Sequence, residues 1–132
     1  MFKGSVKPVF DAGLIDLVTT DYQVALGVSL VPTPGHTPGH VNVLISSQGK
    51  EALITGDSPY HPRQIAHPEW CANVDKVSTR AEQTRREMFR RFANTPTLIT
   101  GTHLATPTAG RLVTDCDTYR LNIRRCRFGR QC

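Results

Sequence analysis

Side chains able to do chemistry cluster at three places in the 132-residue sequence. Two imidazoles, His36 and His40, lie four apart in Val31-Pro32-Thr33-Pro34-Gly35-His36-Thr37-Pro38-Gly39-His40. A carboxylate, Asp57, follows Thr55-Gly56, and a third imidazole, His103, follows Gly101-Thr102. Imidazole nitrogens and carboxylate oxygens are the ligands that bind zinc and leave a position open for water. A helix would put His36 and His40 on one face, but Pro32, Pro34 and Pro38 remove donors and Gly35 and Gly39 loosen what remains. The stretch therefore reads as a tight loop between two β segments, a scaffold that presents ligands without reorganisation. His36, Asp57 and His103 each end a strand-like run behind a glycine, so they are expected to converge at one sheet edge. Separations beyond about 12 Å would rule out a shared metal site. Tyr60 shares a short turn with Asp57 and is expected to point at the same cluster.

Positioning these residues requires a series of short strands. Val28–Val31 enters the His loop, Val41–Ser46 leaves it, and Ser47-Gln48-Gly49-Lys50 reads as a hairpin turn. Ala52–Thr55 is the return strand that delivers Asp57, and Thr97–Thr100 delivers His103. Ile15–Val18 reads as an earlier strand and Lys7–Leu14 as a short helix or turn. Gly110–Val113 and Tyr119–Leu121 form a closing hairpin. Residues 58–76 are irregular and rich in Pro, His and Trp, and a loop this long is often functional. A helix is predicted from Ser78 or Thr79 to about Ala93. Thr79 and Glu82 would form a capping box, and Ala81, Met88, Phe89, Phe92 and Ala93 an apolar side.

Composition narrows the partners. The net charge is +5 and the isoelectric point is about 9.3. Arg80, Arg85, Arg86, Arg90 and Arg91 sit in the predicted helix, and Arg124, Arg125, Arg127 and Arg130 crowd the end. Both groups read as solvated surface, and nucleic acid is not an expected partner. The four cysteines (Cys71, Cys116, Cys126 and Cys132) show no C-x-x-C spacing and read as reduced thiols of a cytoplasmic protein. No apolar run approaches the roughly 18 residues that span a membrane.

Pro34-Gly35-His36-Thr37-Pro38-Gly39-His40 resembles the P-G-H-T-x-G-H motif of the metallo-β-lactamase-fold hydrolases, and Gly56-Asp57 and Gly101-Thr102-His103 resemble two later motifs in the same order. The likeness runs from about Lys7 to Arg120. It implies an α/β (α+β) fold amounting to half or more of an αββα sandwich over residues 1–121; the basic tail, 122–132, has no periodicity, departs from the family and is expected to be poorly ordered. The likeness also implies Zn²⁺ as cofactor, with His36 on a first metal, His103 on a second and Asp57 bridging both. His40 would support the site from behind, and Asp57 and Tyr60 would act in catalysis, Tyr60 as an electrophile toward a substrate carbonyl. His61 and His67 flank a stretch that lies near the substrate mouth in many members, so they are possible pocket residues.

The family's first metal motif, H-x-H-x-D-H, is not found among these residues: none of the five His is two positions from another. A half-sandwich also leaves one sheet face bare, which points to a missing N-terminal half or a second subunit. Two functions follow. The first is a fragment of a zinc-dependent hydrolase whose parent cleaves an ester, lactone or thioester bond of a small-molecule substrate with a metal-bound hydroxide. The second is a non-catalytic half-fold serving as a binding or assembly module. An in-frame H-x-H-x-D-H in the DNA upstream of Met1 would favour the first.

Overall fold

The computed structural model describes residues 2–123. The predicted basic tail lies almost wholly outside the described residues, as do Cys126 and Cys132. A π-helical turn, Phe2–Val6, leads into α1, Lys7–Asp11. Seven strands follow in one sheet: β1 Gln23–Ala25, β2 Val28–Pro32, β3 Val41–Ser47, β4 Lys50–Ile54, β5 Leu98–Thr100, β6 Ala109–Asp115 and β7 Thr118–Asn122. Their spatial order equals their chain order. Every pairing is antiparallel except β4–β5, which is parallel. Parallel neighbours need a crossover connection. Here it carries α2, Arg63–Ala66, and α3, Ser78–Phe92.

α3 covers one face of the sheet. Its buried residues Ala81, Thr84, Arg85, Met88, Phe89 and Phe92 recur at three- and four-residue steps, the period of a helix stripe. They meet Leu53, Ile99 and Leu112, which alternate inward along β4, β5 and β6, together with Ile65 and Leu104. The Phe89 and Tyr119 rings lie 5.5 Å apart and tie the helix to β7. Side chains of opposite phase form the other face. The register sets Val28 against Ile45, Leu30 against Val43, Val43 against Ile54 and Ala52 against Leu98. Ile54 is 36% exposed and Leu98 42%, so this apolar face is only partly covered. Among the described residues no helix is long and apolar enough to cross a membrane.

Four expectations need correction. Ile15–Val18 is not a strand: it has no ladder partner, Leu17 is 86% exposed, and pairing begins at β1. Residues 58–76, expected to be irregular, contain the short helix α2. The capping box of α3 does not form, because Val77 occupies the cap position and makes no side-chain cap bond. The fourth concerns the arginines of α3. Arg86 is exposed and pairs with Glu82 at 2.8 Å, as a solvated helix residue does. Arg85 is instead fully buried. It donates to the Pro68 carbonyl at 3.1 Å, to the Trp70 carbonyl at 2.8 Å and to Asp75 at 3.4 Å.

A buried guanidinium is tolerated only when its donors are met and its charge is paired. Removing it strands the Asp75 carboxylate in the interior. Arg85→Ala is therefore expected to lower unfolding free energy by about 3–5 kcal/mol, read from urea denaturation, while Arg80→Ala on the exposed side stays within about 0.5 kcal/mol.

Candidate metal centre

The His loop is held both by its own hydrogen bonds, among them the Thr33 amide to the His40 carbonyl at 2.9 Å, and by its neighbours. The Lys76 and Val77 amides donate to the carbonyls of His36 and Gly35 at 3.1 and 3.0 Å, and Thr84 Oγ1 donates to the Pro34 carbonyl at 2.6 Å. Gly35 has φ +139°, and a Cβ there would lie 2.3 Å from the Ala81 backbone. Only glycine lets the loop press this closely on the first turn of α3. The loop thus meets the helix without a spacer, and His36 is carried with it.

His36, Asp57 and His103 meet at one end of the sheet. His36 Nε2 lies 3.3 Å from Asp57 Oδ2, and His103 Nε2 lies 3.0 Å from Asp57 Oδ1. Asp57 leaves β4 and His103 leaves β5, and the parallel pairing of these strands brings both to the same end. Thr102 Oγ1 donates to the Gly56 carbonyl at 2.8 Å and fastens the two turns together. The Tyr60 ring stands in the cluster, 4.3 Å from the His103 ring and stacked 5.8 Å from that of His36. The Tyr60 amide donates to Gln64 Oε1 at 2.8 Å, which anchors its turn on α2.

His40 has a separate task. Its Nε2 accepts a hydrogen bond from the Asp57 amide at 3.1 Å, so the proton must sit on Nδ1. Nδ1 faces Thr33 Oγ1 at 2.8 Å and the Thr33 carbonyl at 3.2 Å. Thr33 Oγ1 donates onward to Asn42 Oδ1 at 3.1 Å, and Asn42 donates to Met88 Sδ. Both His40 nitrogens are therefore engaged, and the ring holds the Asp57 backbone from behind. Gly56 has φ +54°, and its missing Cβ would reach 3.0 Å from His40 Nε2, so a side chain there would disturb this bond.

Asp75 is a residue that sequence reasoning missed. Its fully buried carboxylate takes His36 Nδ1 at 3.2 Å on one oxygen, and the Ala72 amide at 3.0 Å and Arg85 on the other. It lies in an irregular segment with no motif to mark it. His61 and His67 do not join the cluster. His61 Nδ1 accepts the Arg63 amide, and His67 stacks on Trp70 at 4.3 Å and pairs with Glu69.

The donor set can be tested against zinc. Two ligands with bonds of about 2.0–2.2 Å at a tetrahedral angle place their donor atoms roughly 3.3 Å apart. The His36 span, 3.3 Å, matches that, and the His103 span, 3.0 Å, is somewhat shorter. His36 adds a proton count: a neutral imidazole has one N–H, yet carboxylates face both of its nitrogens. One contact needs a second proton or a cation. Each side of Asp57 nevertheless offers only two donors, and among the described residues no group of three or more His, Cys, Asp or Glu could hold a metal ion. The residues fit two ligand pairs sharing a carboxylate, not a closed site.

No protein-family model matches the chain. Over 45 residues it is 44% identical to an N-acyl homoserine lactonase of a Bacillus species, a stretch that covers 33% of this chain and 18% of that enzyme. Two solved structures superpose over most of it. Hydrolase AbOPH of the beta lactamase superfamily gives a TM-score of 0.83 at 24% identity, covering 92% of this chain and 43% of that one. AidC, a dizinc quorum-quenching lactonase in complex with its product, gives 0.75 at 17% identity, covering 91% and 45%. The chain thus carries the α/β metallo-β-lactamase-type fold. It spans less than half the length of either solved chain.

Burial lowers the His40 pKa from 6.5, with the Thr33 backbone bond and the Asp57 charge opposing. The unfolded chain then binds the proton more readily than the folded one. His40's contribution to stability is present in full above pH 6.5 and is lost as pH falls through 6.5 toward the folded value. Urea midpoints measured with chelator present are expected to fall over that window, and His40→Ala should flatten the fall.

Proposed function

We propose that this chain is part of a zinc-dependent hydrolase that opens an ester, lactone or thioester bond in a small molecule. The observation that carries the reading is one carboxylate, Asp57, placed between two imidazole Nε2 atoms at 3.3 and 3.0 Å. Carboxylates suit this role because they offer two oxygens to two metals, as in centres that clamp both sides of a displacement. The lactonase relatives favour the same chemistry over a non-catalytic module.

His36 would hold one metal and His103 the other, with Asp57 between them. When bound, zinc supplies acidified water and polarises a carbonyl. Asp57, 39% exposed, opens the site to solvent and substrate. The Tyr60 ring lies 4.3 Å from that of His103 and 5.8 Å from that of His36, and its role in this reading is to donate its phenol hydrogen to the oxygen that gains charge as the carbonyl is attacked. His40 keeps Asp57 from drifting. The remaining donors must come from outside the described residues, from a further segment of the protein or from a second subunit.

The test is metal analysis after exhaustive dialysis, followed by a lactone and ester assay. A zinc site needs three or four protein ligands, so the 132-residue chain alone is expected to retain zinc poorly and to turn over little substrate. Adding an N-terminal half that bears H-x-H-x-D-H should restore both. Tyr60→Phe in the restored enzyme is expected to cut kcat by about 10²-fold with little change in KM. Two tightly held zincs and full turnover in the chain alone would show that His61, His67 or a second copy completes the site; no hydrolysis by the restored form would sink the reading.

A further inference from the structure

His36 is the cluster residue with a second, fully buried carboxylate behind it. We infer that Asp75, clamped by Arg85, is a positioning residue: it fixes His36 as the Nδ1–H tautomer and aims the bare Nε2 lone pair at the space beside Asp57. Three observations carry this. Carboxylates face both His36 nitrogens, Asp75 Oδ1 at 3.2 Å from Nδ1 and Asp57 Oδ2 at 3.3 Å from Nε2, but Asp75 is buried while Asp57 is 39% exposed and screened by water, so the single proton of the neutral ring belongs on Nδ1. Asp75 cannot swing away, because its other oxygen is held by the Ala72 amide and by Arg85 Nη1. Arg85 is itself fixed by the carbonyls of Pro68 and Trp70.

The arrangement links distant parts. The loop that carries Pro68 and Trp70 and the loop that carries His36 are joined through two buried charged groups. A carboxylate behind a ligating imidazole sets its tautomer, its ring orientation and its basicity. The value of this to hydrolysis rests on the function proposed above; the tautomer itself does not.

The experiment uses the full 132-residue chain with ¹⁵N-labelled imidazoles, in alkaline buffer with chelator, and reads the His36 tautomer from long-range ¹H–¹⁵N correlations. Wild-type His36 is expected to be mainly Nδ1–H. Asp75→Asn keeps an oxygen for Arg85 but turns an amide donor toward Nδ1. It should move the tautomer ratio roughly tenfold or more toward Nε2–H, the factor of a hydrogen bond to a charged group. His40, held by Thr33 and the Asp57 amide, should stay Nδ1–H in both proteins and so reports that the fold is intact. A wild-type His36 that is mainly Nε2–H overturns the proposal, as does a folded Asp75→Asn variant with the wild-type ratio. If that variant does not fold, the wild-type tautomer alone decides. The readout needs neither metal nor turnover, so it fails or succeeds separately from the hydrolase reading.

Discussion

A guanidinium with 1% of its side chain exposed is an expensive thing to bury, and the structure around Arg85 is arranged to meet that cost. Its charge is opposed by Asp75, and its remaining donors reach the carbonyls of Pro68 and Trp70. Those partners constrain much else. Two carbonyls of the segment between α2 and α3 are pinned to α3, which gives that segment a fixed shape without regular structure. Asp75 is pinned too, and through it His36. The helix that packs the core with Met88, Phe89 and Phe92 therefore also sets the imidazole at the candidate site.

A second layer of support comes from the backbone. Gly35 lets the His loop touch the first turn of α3, and the amides of Lys76 and Val77 close the contact. Behind Asp57, His40 passes a chain of hydrogen bonds through Thr33 and Asn42 to Met88 on the same helix. The groups in the cluster are thus held by α3 from two directions. Such fixed placement is what a site needs when geometry must be kept to within a fraction of an ångström.

Much of this was readable from residue types. The Pro–Gly–His loop could not be helical, and its flanking apolar runs became β2 and β3. Gly56-Asp57 and Gly101-Thr102-His103 followed strands and did reach one end of the sheet. The hairpins β3–β4 and β6–β7 followed from turn residues and alternation. What was missed shares a cause. Arg80, Arg85, Arg86, Arg90 and Arg91 look alike in sequence, and the apolar stripe of α3 does not reveal that one arginine lies within it. Asp75 becomes informative only when Arg85 and His36 are seen on either side of it. Ile15–Val18 has β-prone residues, but a strand exists only with a partner, and β1 took that place at the sheet edge beside β2. The start of α3 is fixed by the distant carbonyls of Gly35 and His36, where local spacing pointed to a capping box.

The parallel pairing of β4 with β5 also bears on the order in which the molecule assembles. Strands β2, β3 and β4 are joined by short connections and can zip up early, carrying His36 and Asp57 with them. Asp57 and His103, by contrast, are 46 positions apart, and their turns meet only after the crossover with α3 has closed. Loop closure over such a distance is paid before any contact rewards it, and parallel pairing is slow for that reason. The Asp57–His103 half of the cluster is therefore a late product of folding, and a nascent chain released before β5 would hold the His loop and the carboxylate without their third member.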